Sequence, residues 1–307
     1  MQPTLVKEPF DSRDWIFEAK LDGYRAIAVI DSIGRVRIWS RNRMRLDPKF
    51  PIIEGALEEL DLRSTILDGE IVALDNQGIP RFQLLQKWQK CPTAPLVYYL
   101  FDLLWSNGWD ITGAPVLQRR VLLGQIVSPV NGIQVGSWIP GRGKDLFRSA
   151  LETGFEGIVA KRKASTYQPG QRSKDWLKIK CQPQQEFVVG GFTEGKGSRQ
   201  MSFGALLLGA YRNGKLHYFG HSGTGFSKRA LQDALDRMRP LATSNSRFVN
   251  PPRPAERVQW IKPELVCEVA FAEWTDDEQL RQTTFLGWRD DKKPEEVVLE
   301  QPKATLL

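Results

Sequence analysis

Phe17-Glu18-Ala19-Lys20-Leu21-Asp22-Gly23-Tyr24-Arg25 reads K-x-D-G-x-R directly behind an apolar, strand-like run. The pattern is that of a nucleotide-accepting lysine. Such chemistry needs a primary amine close to a phosphorus atom, a glycine that lets the backbone approach the nucleotide, and a guanidinium two residues on to grip ribose or phosphate. Gly23 and Arg25 fill those last two roles. A hexamer with four fixed positions also arises by chance, so it needs support from the rest of the chain.

That support comes in order: Ser40-Arg41-Asn42, Leu67-Asp68-Gly69-Glu70, Tyr99-Leu100-Phe101-Asp102, Glu156-Gly157-Ile158-Val159-Ala160-Lys161, Trp176-Leu177-Lys178-Ile179-Lys180 and Arg289-Asp290-Asp291-Lys292. The series resembles the covalent nucleotidyltransferase superfamily, within it the ATP-dependent DNA ligases, and among those the ligase module of the bacterial end-joining ligase D family. The flanks Pro9-Phe10, Trp15-Ile16-Phe17-Glu18 and Phe285-Leu286-Gly287-Trp288, with Pro294-Glu295-Glu296 behind, look like that family too. The likeness therefore runs over nearly the whole chain. It departs at Arg43-Met44-Arg45, where the ligase D pattern has a smaller residue after the asparagine.

Composition agrees with a folded chain, and its basic balance with either a polyanionic partner or a solvated surface. With 307 residues, 41% hydrophobic and 26% charged, the chain can bury a substantial core divided over about two domains. The 43 Lys+Arg against 36 Asp+Glu leave +7, which favours a polyanionic partner. Cys91, Cys181 and Cys267 are odd in number and far apart, which argues against a disulfide framework or a zinc site and for a reducing compartment. The first residues lack a signal-peptide core, and no apolar run approaches the roughly 18 to 20 residues of a membrane span. A soluble, cytoplasmic protein is expected, and with the resemblance a nucleoid-associated one.

Alternating β-branched runs at 26–30 and 36–39 around Asp31-Ser32-Ile33-Gly34 predict a hairpin. Helical spacing follows at 52–60, 82–90, 116–127 and 145–153, and strands at 66–74, 97–104, 157–161 and 176–181. Hairpins mixed with helices predict an α+β fold, not a doubly wound parallel sheet. Gln182-Pro183-Gln184-Gln185 is polar and aperiodic and is expected to link two domains. Beyond it, short strands at 187–192, 205–211, 216–220 and 266–271 between glycine turns, with a helix at 228–238, suit a small β-barrel. The resemblance makes that barrel an OB-fold. The expected division is a nucleotidyltransferase (adenylation) domain of antiparallel sheets and helices over 1–183 and a C-terminal OB-fold domain over 184–307.

Three local patterns read as structure. Gly190 to Lys196 spells G-x-x-x-x-G-K, but Gly197 stands where a phosphate-binding loop needs Ser or Thr, and no helix is expected after it. A glycine-rich hairpin is expected there. His217 and His221 lie on a strand-like segment without a partner carboxylate, so a metal role is not expected. Asn250-Pro251-Pro252 with Arg253-Pro254 reads as an irregular loop.

The chemistry then sets requirements. An ordinary lysine titrates near 10.4, so at neutral pH about one in a few thousand is a free amine. Lys20 is therefore expected to be depressed by cationic neighbours and a divalent metal. Lys178 and Lys180, two apart on a strand, face one way while Leu177 and Ile179 enter the core. Their charges would also neutralise the α-phosphate during attack. The resemblance implies Glu70 at the ribose hydroxyls or the metal, Phe101 stacked on adenine, Glu18 beside adenine, and Arg25 and Arg41 at ribose and phosphate. It also implies Glu156 as the metal-side carboxylate and Arg289 and Lys292 orienting the leaving pyrophosphate. Magnesium or manganese would serve as the metal, and ATP would be carried as a lysyl-AMP adduct.

The resemblance implies an ATP-dependent DNA ligase that seals nicked double-stranded DNA through that adduct and an adenylated 5′-phosphate. A monomer is expected, with a Ku-like end-binding protein as a partner. An RNA ligase or an mRNA-capping guanylyltransferase shares the lysine hexamer, and a catalytically silent nucleic-acid-binding module is the reading from another class.

Overall fold

The structure, a computed structural model, describes residues 1–89, 91–128, 130–252 and 257–300. Of the segments expected from sequence, the end of the 82–90 helix at Lys90, the Arg253-Pro254 part of the loop and the last seven residues lie outside them. Two compact units are present, Met1–Cys181 and Gln182–Glu300.

The first unit runs β1 (Gln2–Leu5), β2 (Ser12–Lys20), β3 (Tyr24–Ile30), β4 (Val36–Ser40), α1 (Pro51–Glu58), β5 (Thr65–Ala73), α2 (Phe82–Lys87) and β6 (Leu96–Ser106). It continues through β7 (Trp109–Asp110), α3 (Val116–Ile126), β8 (Ile133–Val135), β9 (Trp138–Gly141), α4 (Gly143–Thr153), β10 (Gly157–Arg162) and β11 (Arg172–Lys180). One sheet has the order β4-β3-β5-β6-β7, with β8 parallel to β6. The other has the order β1-β11-β10-β2-β9, all antiparallel except β1 on β11.

Local chemistry explains these elements. In the β3–β4 hairpin the Asp31 carboxylate accepts the amides of Ile33 and Arg35 at 3.0 and 2.9 Å, and Gly34 takes a left-handed φ of 87°. Pro51 opens α1, where its missing N–H costs nothing, and Ile53, Ala56 and Leu57 face the core. Gly154 ends α4 at φ 78°, turning the chain through Phe155 and Glu156 into β10. The larger core lies between the β3–β6 sheet and α1 to α3, and a second one forms behind the β2–β10–β11 sheet around Phe17, Ile158, Ala160, Leu177 and Ile179.

The second unit comprises β12 (Gln184–Glu194), β13 (Phe203–Arg212), β14 (Lys215–Ser222), α5 (Lys228–Met238), β15 (Ala242–Thr243), β16 (Val258–Ala270), β17 (Glu273–Trp274), β18 (Leu280–Arg281) and β19 (Thr284–Trp288). The sheet order β14-β13-β12-β16-β15, with β19 also on β16, is wrapped around one core as an OB-fold barrel. Ser227 caps α5, its hydroxyl accepting from Ala230 N at 3.2 Å.

The polar 182–185 stretch is not a linker throughout, because Gln184 and Gln185 already belong to β12. Gln185 is buried, donating to Val298 O at 3.1 Å and accepting Glu300 N at 3.0 Å. Its polarity serves an internal bond, which composition cannot distinguish from solvation. Of the glycine-rich 190–197 stretch, Gly190 to Glu194 lie within β12 itself, and only from Gly195 on does the chain turn towards the antiparallel β13; a Cβ on Gly195 would sit 1.9 Å from Arg199 O. His217 and His221 lie on β14, and among the described residues no group of three or more His, Cys, Asp or Glu side chains could hold a metal. Among them, too, no helix is long and apolar enough to cross a membrane.

Candidate active site

Strand register builds the site. Antiparallel pairing sets Gly157 of β10 opposite Lys20 of β2 and Lys180 of β11. Two residues along, Val159 lies between Glu18 and Lys178, and two further, Lys161 lies between Ile16 and Trp176. Residues opposite one another share a face, and alternate residues repeat it. One face thus carries Lys20, Lys180, Glu18, Lys178 and Lys161, while Phe17, Ile158, Ala160, Leu177 and Ile179 fill the core on the other. Lys178 and Lys180 are oriented as the sequence predicts, on a strand flanked on both sides by β1 and β10 and not at an edge.

Gly157 holds this face together. A Cβ there would lie 2.1 Å from Ile179 O and 2.9 Å from Lys180 Cα, so only glycine lets the three strands approach. Gly23 is explained the same way. Its Cβ would meet Ile71 O at 2.2 Å, so backbone packing against β5 by itself requires glycine there.

Glu156, just before Gly157, lies between the two lysines. Lys20 Nζ donates to its Oε2, and Lys180 Nζ lies 3.4 Å from its Oε1. The carboxylate is almost wholly buried. Burial alone would raise its pKa, but Lys20, then Lys180 and Lys178, outweigh this and hold it well below the usual range. Lys20 departs from expectation. Burial pulls its pKa down and Lys180 adds to that, yet Glu156, with a smaller contribution from Glu70, leaves it raised. The reason is the short contact to an anion that the one-dimensional motif does not reveal.

Glu70 of β5 stands opposite Arg25, and its charge reaches both Arg25 and Lys20, while the neighbouring Ile71 is in the core. Arg25 is more tightly held than its motif suggests. It donates to both Asp68 carboxylate oxygens, to Met1 O and to Tyr167 Oη, and Tyr167 Oη donates in turn to Asp68 at 2.8 Å. Its guanidinium lies 5.5 Å from the centre of the Phe101 ring. Arg41 follows β4 on the surface beside the Gln2 side chain, whose amide, turned so that its oxygen faces the guanidinium, accepts from Nε and Nη2 at 3.2 and 2.8 Å.

Glu18 and Phe101 meet through residues that the sequence reading missed. Lys161 Nζ contacts Glu18 Oε2 at 2.7 Å, donates to Phe101 O at 3.1 Å, and lies 4.6 and 4.3 Å from the centres of the Phe101 and Trp176 rings. Burial lowers its pKa against the pull of Glu18. Arg120 of α3, fully buried, places Nε 3.2 Å from Glu18 Oε1 while its Nη atoms donate to Leu100 O and Gly136 O. Arg119 makes a bidentate pair with buried Asp102 at 2.8 and 2.9 Å. Period-two spacing from Gly157 would have put Lys161 on the functional face; the arginines needed the tertiary fold.

Arg289 and Lys292 belong to the second unit and form a cluster there. Arg289 donates to both oxygens of Asp291 at 2.9 and 2.8 Å and to Glu268 at 2.8 Å. Lys292 lies 3.2 Å from Glu186.

Glu156 and Glu70 supply the hard oxygen donors that magnesium or manganese prefers, and such ions commonly use one or two carboxylates together with substrate phosphates. The donor set fits the metal. An amine flanked by a second lysine and by carboxylates on an α+β sheet, in a chain that also carries an OB-fold, defines a nucleotidyltransferase.

Two family models narrow that class: "ATP dependent DNA ligase domain" matches residues 4–180 and "ATP dependent DNA ligase C terminal region" residues 199–292. The chain belongs to the ATP-dependent DNA ligase family. It is 38% identical over 307 residues to the multifunctional non-homologous end joining protein LigD of Pseudomonas aeruginosa, covering 97% of this chain and 36% of that one. It is also 38% identical over 288 residues to LigD of Mycobacterium tuberculosis, covering 93% and 37%. The chain thus spans little more than a third of these relatives. Among solved structures, a mycobacterial DNA ligase D complexed with ATP and MES aligns with TM-score 0.70 and 34% identity over 97% of this chain and 98% of the other. The family uses ATP and a divalent metal, and these matches do not favour the RNA-ligase, capping-enzyme or silent-module readings.

Proposed function

We propose that Lys20 is the nucleophile of a DNA-sealing reaction in three transfers. The Lys20 amine attacks the α-phosphorus of ATP; an N–P bond forms, the bond to the β-phosphate oxygen breaks and pyrophosphate leaves. A 5′-phosphate oxygen at a nick then attacks the same phosphorus, freeing Lys20 and leaving the DNA end adenylated. Finally the 3′-hydroxyl attacks the 5′-phosphate, closing the phosphodiester and expelling AMP. These are in-line transfers in which positioning and charge neutralisation dominate.

The observation that carries this reading is the row Lys20–Gly157–Lys180 with Glu156 between the amines. Lys20 is held as an ammonium, so its proton must leave before attack. A divalent cation on Glu156 and Glu70 would compete with Lys20 for the carboxylate and favour the free amine. Lys178 and Lys180 would neutralise the α-phosphate, Glu18 and Phe101 would hold the adenine, and Arg25 and Arg41 the ribose and phosphates. Lys292 and Arg289 would act on the pyrophosphate.

Nicked duplex DNA is the substrate we infer, supported by the net charge of +7 and the family match. The end-joining role in the names of the LigD relatives supports a place in break repair. We also infer a monomer that works in the nucleoid beside a Ku-like end-binding protein.

The test is label transfer from α-labelled ATP. The wild type becomes labelled and Lys20→Ala does not, while Lys20→Ala still seals a nick supplied already adenylated. A labelled Lys20→Ala protein would refute the assignment.

A further inference from the structure

Glu18 differs from the other buried acids of the first unit in one respect. Its Oε2 is taken by Lys161 at 2.7 Å, but its Oε1, 3.2 Å from Arg120 Nε, is buried without a hydrogen-bond partner, as is that Nε. The charge of Arg120 holds that oxygen in place but leaves it without a hydrogen bond, which a ligand N–H brought to it would supply. Two cations fix the group. Lys161 is itself held by Phe101 O and by the Phe101 and Trp176 rings, and Arg120 by Leu100 O and Gly136 O. Glu18 and Lys20, two apart on β2, share a face, so a nucleotide whose α-phosphate lies at Lys20 has its base in reach of Glu18.

A carboxylate between two cations is an acceptor only. It can take the exocyclic amine of a 6-aminopurine and repels the carbonyl of a 6-oxopurine. We propose that Lys161 and Arg120 are specificity-determining positioning residues, which fix Glu18 so that Oε1 accepts from the 6-amino group of adenine and turns guanine away. This rests on the functional reading above. It assigns the choice of purine to two residues that need not touch the nucleotide.

The test compares label transfer to Lys20 from α-labelled ATP, GTP and ITP. In the wild type, ATP is used at least about a hundredfold better than GTP or ITP, since a site built around a hydrogen bond rejects an analogue that cannot make it. In Lys161→Met the ATP:GTP ratio in kcat/KM falls by about tenfold or more, chiefly through KM for ATP, and Lys161→Arg restores much of it; Arg120→Gln moves the ratio the same way. A structural role alone would slow both nucleotides equally, and an unchanged ratio in Lys161→Met and Arg120→Gln overturns the proposal. Equal use of ITP and ATP by the wild type overturns it even if the variants do not fold. A wild type labelled by ATP at a residue other than Lys20 would instead overturn the functional reading itself, and this inference with it.

Discussion

The Lys20 ammonium donates to Glu156 Oε2, so the proposed nucleophile is neutralised by a carboxylate that a metal would also seek. The pair is nearly enclosed, and its charges depend on one another.

Their titration gives a first prediction. Glu156 is depressed when folded, so its contribution is present above the ordinary glutamate value of about 4.3 and is lost as pH falls through the folded value. Lys20 is raised, so its contribution is present below about 10.4 and is lost as pH rises through its folded value. Urea unfolding should find Glu156→Gln less stable than wild type at pH 6, with the gap narrowing as pH drops to 3. A gap that stays constant over that range would contradict the pairing.

Lys180→Ala should slow label transfer from ATP by about a hundredfold or more, the usual cost of removing a donor aimed at developing charge. Lys180→Arg should recover part of it. An unaffected rate in rapid-quench measurements would show that the second lysine is not at the phosphate.

Two glycines should respond in opposite directions to the same methyl group. Gly157→Ala would force a Cβ to 2.1 Å from Ile179 O and should cost several kcal/mol, on the order of the largest single-site effects. Gly55, in the middle of α1 with nothing within 4 Å of its would-be Cβ, should gain about 0.5–1 kcal/mol on conversion to alanine. Thermal unfolding of the two variants checks both signs.

Arg289 and Lys292 should also separate. Arg289→Ala strands buried Glu268 and Asp291 and should destabilise the second unit by about 3–5 kcal/mol. Lys292→Ala loses a single contact to Glu186 and should cost about 1 kcal/mol or less, while slowing label transfer and sparing the sealing of a pre-adenylated nick. Denaturant titration together with step-resolved assays would show whether stability and activity part in this way.

Much of this was legible in one dimension because alternation and turn chemistry are local. The β3–β4 hairpin, α1, α5 and the outward pair Lys178 and Lys180 follow from spacing alone. Strands without their own pattern did not show: β1 is four residues that gain their place by parallel pairing with β11, and β9 contains Pro140 and Gly141. The elevated pKa of Lys20 stayed hidden because it depends on a partner 136 residues away. Arg120 was invisible for a similar reason, since a helix with two adjacent arginines looks solvated until its packing is known. Lys161 could have been found, because its register with Gly157 follows from the strand itself.

The strict alternation of β10 has a cost for variation. Inserting one residue after Gly157 would send Lys161 into the oily side and bring Ala160 to the lysine-bearing side, exchanging every second position at once. Inserting two would restore the parity but move each group one rung, about 6–7 Å, along its neighbours. The strand can therefore tolerate changes of side chain far better than changes of length, and libraries built on this scaffold should place their insertions elsewhere, in turns such as Asn107-Gly108 or Asn213-Gly214.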